Sequence, residues 1–268
     1  MKRHAPGKVS WKSLESPRDL GSPDPIIVRV QSLPARSQFI EHSHSWNQLV
    51  YAVAGVLTVS AEGQSIAISP EQAVWLPTGT KHSVGSLMGA EFRSLWVAHD
   101  ACPGIMPEVS VVEVSGLLRA LIIEGATLSS VDDRDYANRV VGLILDQLRR
   151  ARTTSAVLPW PKNPSLLALC EALYADPADT RDVDEWGREL GMSSRTLTRH
   201  FEQEVGMTLR AWRLRLRVFK AIELLCGDAP ITDIALDLGY ASASAFIYMF
   251  REEMGHSPLQ YRRRLGGI

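Results

Sequence analysis

Two nine-residue stretches near the C-terminus constrain this chain more than anything else in it. Val183-Asp-Glu-Trp-Gly-Arg-Glu-Leu-Gly191 and Ile231-Thr-Asp-Ile-Ala-Leu-Asp-Leu-Gly239 share one pattern. Each has a branched apolar residue, a small residue four positions on (Gly187 or Ala235), and a glycine four further (Gly191 or Gly239). The small residue lets a second helix cross closely, and the glycine makes the tight turn between the two, which is the steric recipe for helix-turn-helix. Ser193 and Ser242 then stand at the N-cap of a following helix, with Leu197 and Phe201, or Phe246 and Phe250, on its inner face.

The match runs on past the turns. Gly206 and Gly255 follow Phe201 and Phe250 at equal distance, Thr208 and Ser257 cap the next helix, and Trp212-Arg213 corresponds to Tyr261-Arg262. A single pattern of this kind has many chance matches; a tandem pair with matching caps, phenylalanines and glycines has few. A plain helical bundle also explains the buried Leu197 and Phe201. It does not explain why Ser194, Arg195, Thr198 and Arg199 share the opposite face, where hydroxyls and guanidinium groups suit base edges or phosphates. The second unit offers Ser242, Ala243, Ser244, Ile247 and Tyr248 in the corresponding places, with no arginine or glutamine among them. One long helix, about 208–226, joins the units and carries Arg210, Arg213, Arg215, Arg217 and Lys220, either as a basic binding surface or as a solvated face.

Residues 165–265 resemble the DNA-binding domain of the AraC/XylS family of bacterial transcription regulators. The resemblance is carried by GMSSRTLTRHF, by Ala221 to Leu225, by the run from Ile231 to Tyr240, and by GHSPLQYR from Gly255. It implies seven helices, with the two recognition helices entering successive major grooves on one face of double-stranded DNA.

Upstream the periodicity changes. From Ile26 to about Val114, short apolar alternations such as IIVRV, NQLVYAVAG and AVWLPTG are broken by turn residues, at the spacing of a β-barrel or sandwich. Within this region His42, His44, Gln48 and Gly55, followed by Pro77, Gly79 and His82, resemble the two motifs of the cupin superfamily. Three imidazoles converging from neighbouring strands make a chemically sensible site for a divalent transition metal. The resemblance also shows a departure: the usual glutamate ligand is Gln48, a neutral and weaker donor, which removes the two-histidine, one-carboxylate set suited to oxygen-activating iron. The trio therefore admits three readings, as pocket lining, as a metal site or as a catalytic centre. Trp46, Trp75 and Trp96 add aromatic walls to an effector pocket, or are core.

Between the two regions, Tyr136, Val140, Ile144 and Leu148 form one apolar stripe on a helix closed by Arg149, Arg150 and Arg152. This reads as a dimerisation helix. Pro159, Pro161 and Pro164 then mark a linker. The expected organisation is a flexible arm (1–25), a cupin-like effector-sensing barrel (26–114), a helical dimerisation segment (115–152), a linker (153–164) and an all-α DNA-binding domain (165–268), with helix-turn-helix units at about 183–204 and 231–254. The fold class is thus multidomain, β followed by α.

Composition removes other classes. The formal net charge of −1 rules out a chain that is basic as a whole, so DNA contact must be local. Three widely spaced cysteines without a C-x-x-C fit reduced thiols. No signal-peptide core or membrane-length apolar run is present, and the expectation is a cytoplasmic protein with no membrane partner. The function expected is a transcription regulator that answers to a small-molecule effector in the barrel. Homodimerisation is expected too, with RNA polymerase as a further partner if it activates. The rivals are a cupin-type metalloenzyme with an appended DNA-binding domain and an architectural DNA binder indifferent to ligands.

Overall fold

The computed structural model describes residues 11–15, 21–128, 133–154 and 157–266, without the side chains of 264–266. In chain order the strands are β1 (Lys12–Leu14), β2 (Ile26–Leu33), β3 (Ser37–Phe39), β4 (Asn47–Gly55), β5 (Leu57–Ala61), β6 (Gln64–Ile68), β7 (Gln72–Leu76), β8 (His82–Ser86), β9 (Ala90–Val97), β10 (Ser110–Glu113) and β11 (Leu158–Trp160). The helices are α1 (Gly116–Gly125), α2 (Arg134–Arg149), α3 (Pro164–Ala175), α4 (Val183–Glu189), α5 (Ser194–Val205), α6 (Leu209–Leu225), α7 (Ile231–Asp237), α8 (Ala243–Met254) and α9 (Pro258–Gly266). The chain forms two compact units, one of residues up to Gly63 with Glu71–Thr154, the other of Gln64–Pro70 with Ser155–Ile268.

In the first unit, one sheet runs β1-β3-β8-β5 and the other β10-β7-β4-β9-β2. Side chains at paired positions share a face and alternate along each strand. Arg29 pairs with Ser94, and Trp96 with both Ile27 and Gln48, so Arg29, Gln48, Ser94 and Trp96 share the inner face. Leu49 pairs with Leu95 and Trp75, so these face the other way with Tyr51 and Val97. That outer face is apolar, and α1 and α2 cover it with Leu118, Leu121, Ile122, Val140, Ile144, Leu145 and Leu148. Each such side chain contributes about 1.5–3 kcal/mol when fully buried. Asp133 starts α2 by accepting from the Tyr136 amide (2.8 Å), and the cationic Arg149 lies in its last turn.

This arrangement corrects the reading of α2 as a dimerisation stripe. Val140, Ile144 and Leu148 are buried in their own barrel unit, at 5%, 0% and 1% exposure, with Tyr136 packed at the edge. The sheet's outer face needed a cover, and the stripe is that cover.

Two boundaries also shift. The segment 1–25 contains β1, which pairs in parallel with β3; residues 1–10 and 16–20 lie outside the described residues. The segment 153–164 contains β11, which pairs with β6 inside the second unit. Pro159 lies on β11, at the edge of its sheet, where a missing N–H is tolerated. Its carbonyl accepts from the Trp212 indole (2.7 Å), and the Trp160 and Trp212 rings meet edge to face.

The seven helices α3–α9 of the second unit match the expected number. The loop 177–181 is their hub. Arg213 donates to the Arg181 carbonyl (2.6 Å) and to the Asp179 carbonyl, and Arg217 to the Pro177 carbonyl (3.1 Å). Arg215 donates to the Val157 carbonyl (2.8 Å), and Lys220 pairs with Glu223 (2.8 Å). The reading of α6 as a basic or solvated face is therefore corrected for these four. Of the five cations, Arg210 is the exposed one.

Candidate DNA interface and ligand cavity

The two helix-turn-helix units are built as their sequences require. In the first, the Met192 amide donates to the Gly187 carbonyl (2.8 Å) across a turn held by Gly191 at φ +68°. In the second, the Tyr240 amide donates to the Ala235 carbonyl (2.9 Å) across Gly239 at φ +76°. Ser193 and Ser242 cap α5 and α8 by accepting from the Thr196 (3.1 Å) and Ala245 (3.2 Å) amides. Leu197, Phe201, Phe246 and Phe250 are fully buried. With the inner faces fixed in this way, the outward faces follow from the 3.6-residue period.

On α5, Arg195 and Arg199 are exposed, Thr198 is half-buried, and Ser194 gives its hydroxyl to Asp184. Arg195 is therefore the free fork near the start of the helix. Arg199 is exposed with its guanidinium 3.4 Å from the His200 ring nitrogen. On α8, Ser244, Ile247 and Tyr248 are exposed, Tyr248 at 69%, whereas Ala243 is half-buried against the core below and Ser242 is occupied as the cap. Arg251, exposed in the last turn of α8, is a cation the sequence reading passed over.

The barrel encloses a cavity of about 340 Å³. His42, His44, Trp46, Gln48 and Trp96 line it as expected. Trp75 does not, and this expectation is corrected: Trp75 lies opposite Leu49 on the outer face, 1% exposed, with its indole donating to the Met106 carbonyl (3.1 Å). His82 is fully buried behind the wall, its ring centroid 4.4 Å from His42 and 5.1 Å from His44. The sequence reading missed Arg29, Gln31, Phe39, Phe92 and Ser94, all on the lining. The missed signal was parity: in IIVRV, Arg29 occupies the phase of Ile27, two residues along the same face of β2.

All three imidazoles are oriented by main-chain carbonyls. Nδ1 donates to Ile40 O in His42 (2.8 Å), to Trp46 O in His44 (2.7 Å) and to Thr80 O in His82 (2.9 Å). This leaves each Nε2 as the remaining nitrogen, a pattern that also prepares histidines for metals. Burial pushes the His82 imidazole down to about 4 and lowers that of His42, so both favour the neutral ring. His82 Nε2 is buried without a hydrogen-bond partner. His44 Nε2, however, is committed to the Gln48 amide at 2.8 Å, which continues to the Ser94 hydroxyl at 2.6 Å. Among the described residues, no group of three or more His, Cys, Asp or Glu side chains is arranged to hold a metal ion. As the side chains stand, His44 Nε2 faces the Gln48 amide and not a position shared with the other two rings.

Comparison with known proteins agrees with both halves. Residues 186–264 match the family described as a helix-turn-helix domain, and residues 29–98 match the cupin domain family. The HTH-type transcriptional regulator NimR of Escherichia coli (strain K12) is 29% identical over 84% of this chain and 82% of its own length. The HTH-type transcriptional activator RhaS of Escherichia fergusonii is 25% identical over 89% of this chain and 92% of its own. The HTH-type transcriptional regulator RipA of Corynebacterium glutamicum is 33% identical over 40% of this chain and 32% of its own. Among the described residues, no helix is long and apolar enough to cross a membrane.

Proposed function

We propose that this chain is a transcription regulator of the AraC/XylS type, which reads operator DNA with α5 and α8 and changes its grip when a small molecule enters the barrel cavity. The observation that carries the reading is the duplicated turn geometry with Arg195 and Arg199 exposed on the outside of α5. A ligand alters DNA affinity only to the extent that it binds two conformations of the protein unequally.

We read the cavity as a sensor and not as a catalytic centre. The carboxylate of the oxygen-activating set is replaced by Gln48, and that amide engages His44. His42 and His44 serve as oriented pocket lining with His82 packed behind them, and purified protein should carry well under one transition metal per chain. Close to one metal per chain, lost on changing His42, His44 and His82 to alanine, would restore the metal reading.

The working form is a homodimer in the cytoplasm, since a pair of chains multiplies DNA contacts without new sequence. With the α2 stripe buried, the exposed apolar residues left on α1 and α2 are Leu117, Ile123 and Leu143. If the protein activates, RNA polymerase is a further partner. The direct test is binding to fragments of its own upstream region at fixed salt, with and without candidate effectors. Wild type should shift a discrete fragment, and the Arg195→Ala, Arg199→Ala double variant should not. Equal binding by both would remove α5 as the reading helix.

A further inference from the structure

We propose that the ligand of the barrel is a small organic monoanion, a carboxylate on an apolar body, anchored by Arg29. This rests on reading the cavity as the effector site. Arg29 projects inward from β2 beside Ser94, and its guanidinium lies over the Trp96 ring, 4.6 Å from the centroid. Trp96 in turn packs on Trp46 (4.5 Å), and Trp46 stacks on His44 (4.9 Å, 4° between planes). A guanidinium laid against an aromatic face has its plane fixed and its N–H edge free. That edge is the fork a carboxylate meets with two parallel hydrogen bonds.

Nothing described on the protein answers this charge. Among the described residues no carboxylate lies within ion-pair distance of Arg29, and burial alone lowers its pKa. Glu41 also reaches the cavity, but as an exposed residue of its rim. A half-buried cation without a counter-ion is costly to hold, and a ligand anion would relieve that cost. The indole Nε1 of Trp46 is a second donor, buried without a partner.

The rest of the wall narrows the class. Phe39, Phe92 and Val84 present carbon, and Gln48 and Ser94 are occupied with each other and with His44. A neutral polyol would leave its hydroxyls facing these carbon walls. A second cation would meet Arg29, and a dianionic phosphate would find one guanidinium where it needs more. A carboxylate with an apolar body satisfies the fork and the carbon walls together, in a volume at the small end of ligand sites.

The test is calorimetric titration of the full-length protein with benzoate and hexanoate, each against its neutral amide. At least one acid should bind ten or more times tighter than its amide. Arg29→Gln should remove that preference, and Arg29→Lys, which keeps the charge but loses the fork, should retain part of it. Amides binding as tightly as acids, unchanged acid binding in Arg29→Gln, or no acid binding at millimolar concentration would overturn the proposal. The acid–amide comparison on wild type stands even if a variant fails to fold. Operator binding measured alongside separates the two claims. Acid that binds without altering DNA affinity would end the effector reading and leave the anion site. A neutral molecule that alters DNA affinity through this cavity would do the reverse.

Discussion

The two helix-turn-helix units are alike where their backbones meet and unlike where they face outward. Both close the turn with an amide-to-carbonyl bond of 2.8–2.9 Å, both use a left-handed glycine, and both cap the second helix with serine. Outside, α5 carries two exposed arginines where α8 carries Ser244 and Tyr248, with Ile247 exposed beside them. The turn is set by sterics that allow few residues. The outer face is set only by what it touches, so it is free to differ. We therefore propose hydrogen-bonded readout by α5 and contact with thymine methyls or phosphate by α8.

The turn glycines give the largest expected difference between the units. Gly239 combines φ +76° with a tight neighbour: a Cβ there would sit 2.8 Å from the Ala178 Cα, in the hub loop. Gly239→Ala should destabilise the second unit by roughly 2–5 kcal/mol, adding left-handed strain of about 1–2 to overpacking of about 1–3. Gly191 has a similar φ but open space around it, so Gly191→Ala should cost only the strain, about 1–2 kcal/mol. Thermal unfolding of the full chain should rank them in that order; equal losses would show that the hub contact carries no weight.

Next comes the DNA surface. Arg195→Ala should lose about 1–3 kcal/mol of discrimination, the value of a bidentate guanine contact, while non-specific binding stays. Tyr248→Ala should weaken binding across sequences and leave discrimination nearly unchanged. A competition assay with mutated operator fragments separates the two outcomes, and matching losses of discrimination would break the proposed asymmetry.

A smaller effect sits at Gly187. A Cβ there would lie 2.8 Å from the Met192 carbonyl oxygen, yet the second unit holds Ala235 in the same place. The first turn should therefore open slightly, and the better helix propensity of alanine, about 1 kcal/mol, should offset part of the cost. Gly187→Ala is expected to lose about 1 kcal/mol or less in the same melts. A loss as large as that of Gly239→Ala would mean that the two turns are not equivalent.

This half of the molecule was legible in the sequence because its signals are local. Gly191, Ser193, Phe201 and Gly206 each act on neighbours within one or two turns, so spacing alone placed them. The cavity was legible only in part. His42, His44 and Gln48 stand close together in one short stretch of chain and announce themselves, whereas Arg29 reaches the same wall through the pairing of β2 with β9, residues far apart in the chain. Trp75 failed for the same reason, since only the pairing of β4 with β7 shows which face it takes. The α2 stripe was visible as a stripe, but its partner was a long-range choice between a second chain and the barrel. The prolines of 153–164 showed where a helix cannot run and were silent about the edge strand that Pro159 joins.

The smallest change tests the central claim most directly. Replacing thymine by uracil in the operator removes one methyl group from the major groove and no hydrogen-bonding group. If α8 reads by apolar contact, each contacted thymine replaced in its half of the site should weaken binding by about 0.8 kcal/mol, roughly fourfold, the value of one buried methyl-sized group. Replacements in the half read by α5 should leave affinity unchanged. Equal sensitivity in both halves, or strict hydrogen-bonded positions under α8, would contradict the division of labour between the two helices.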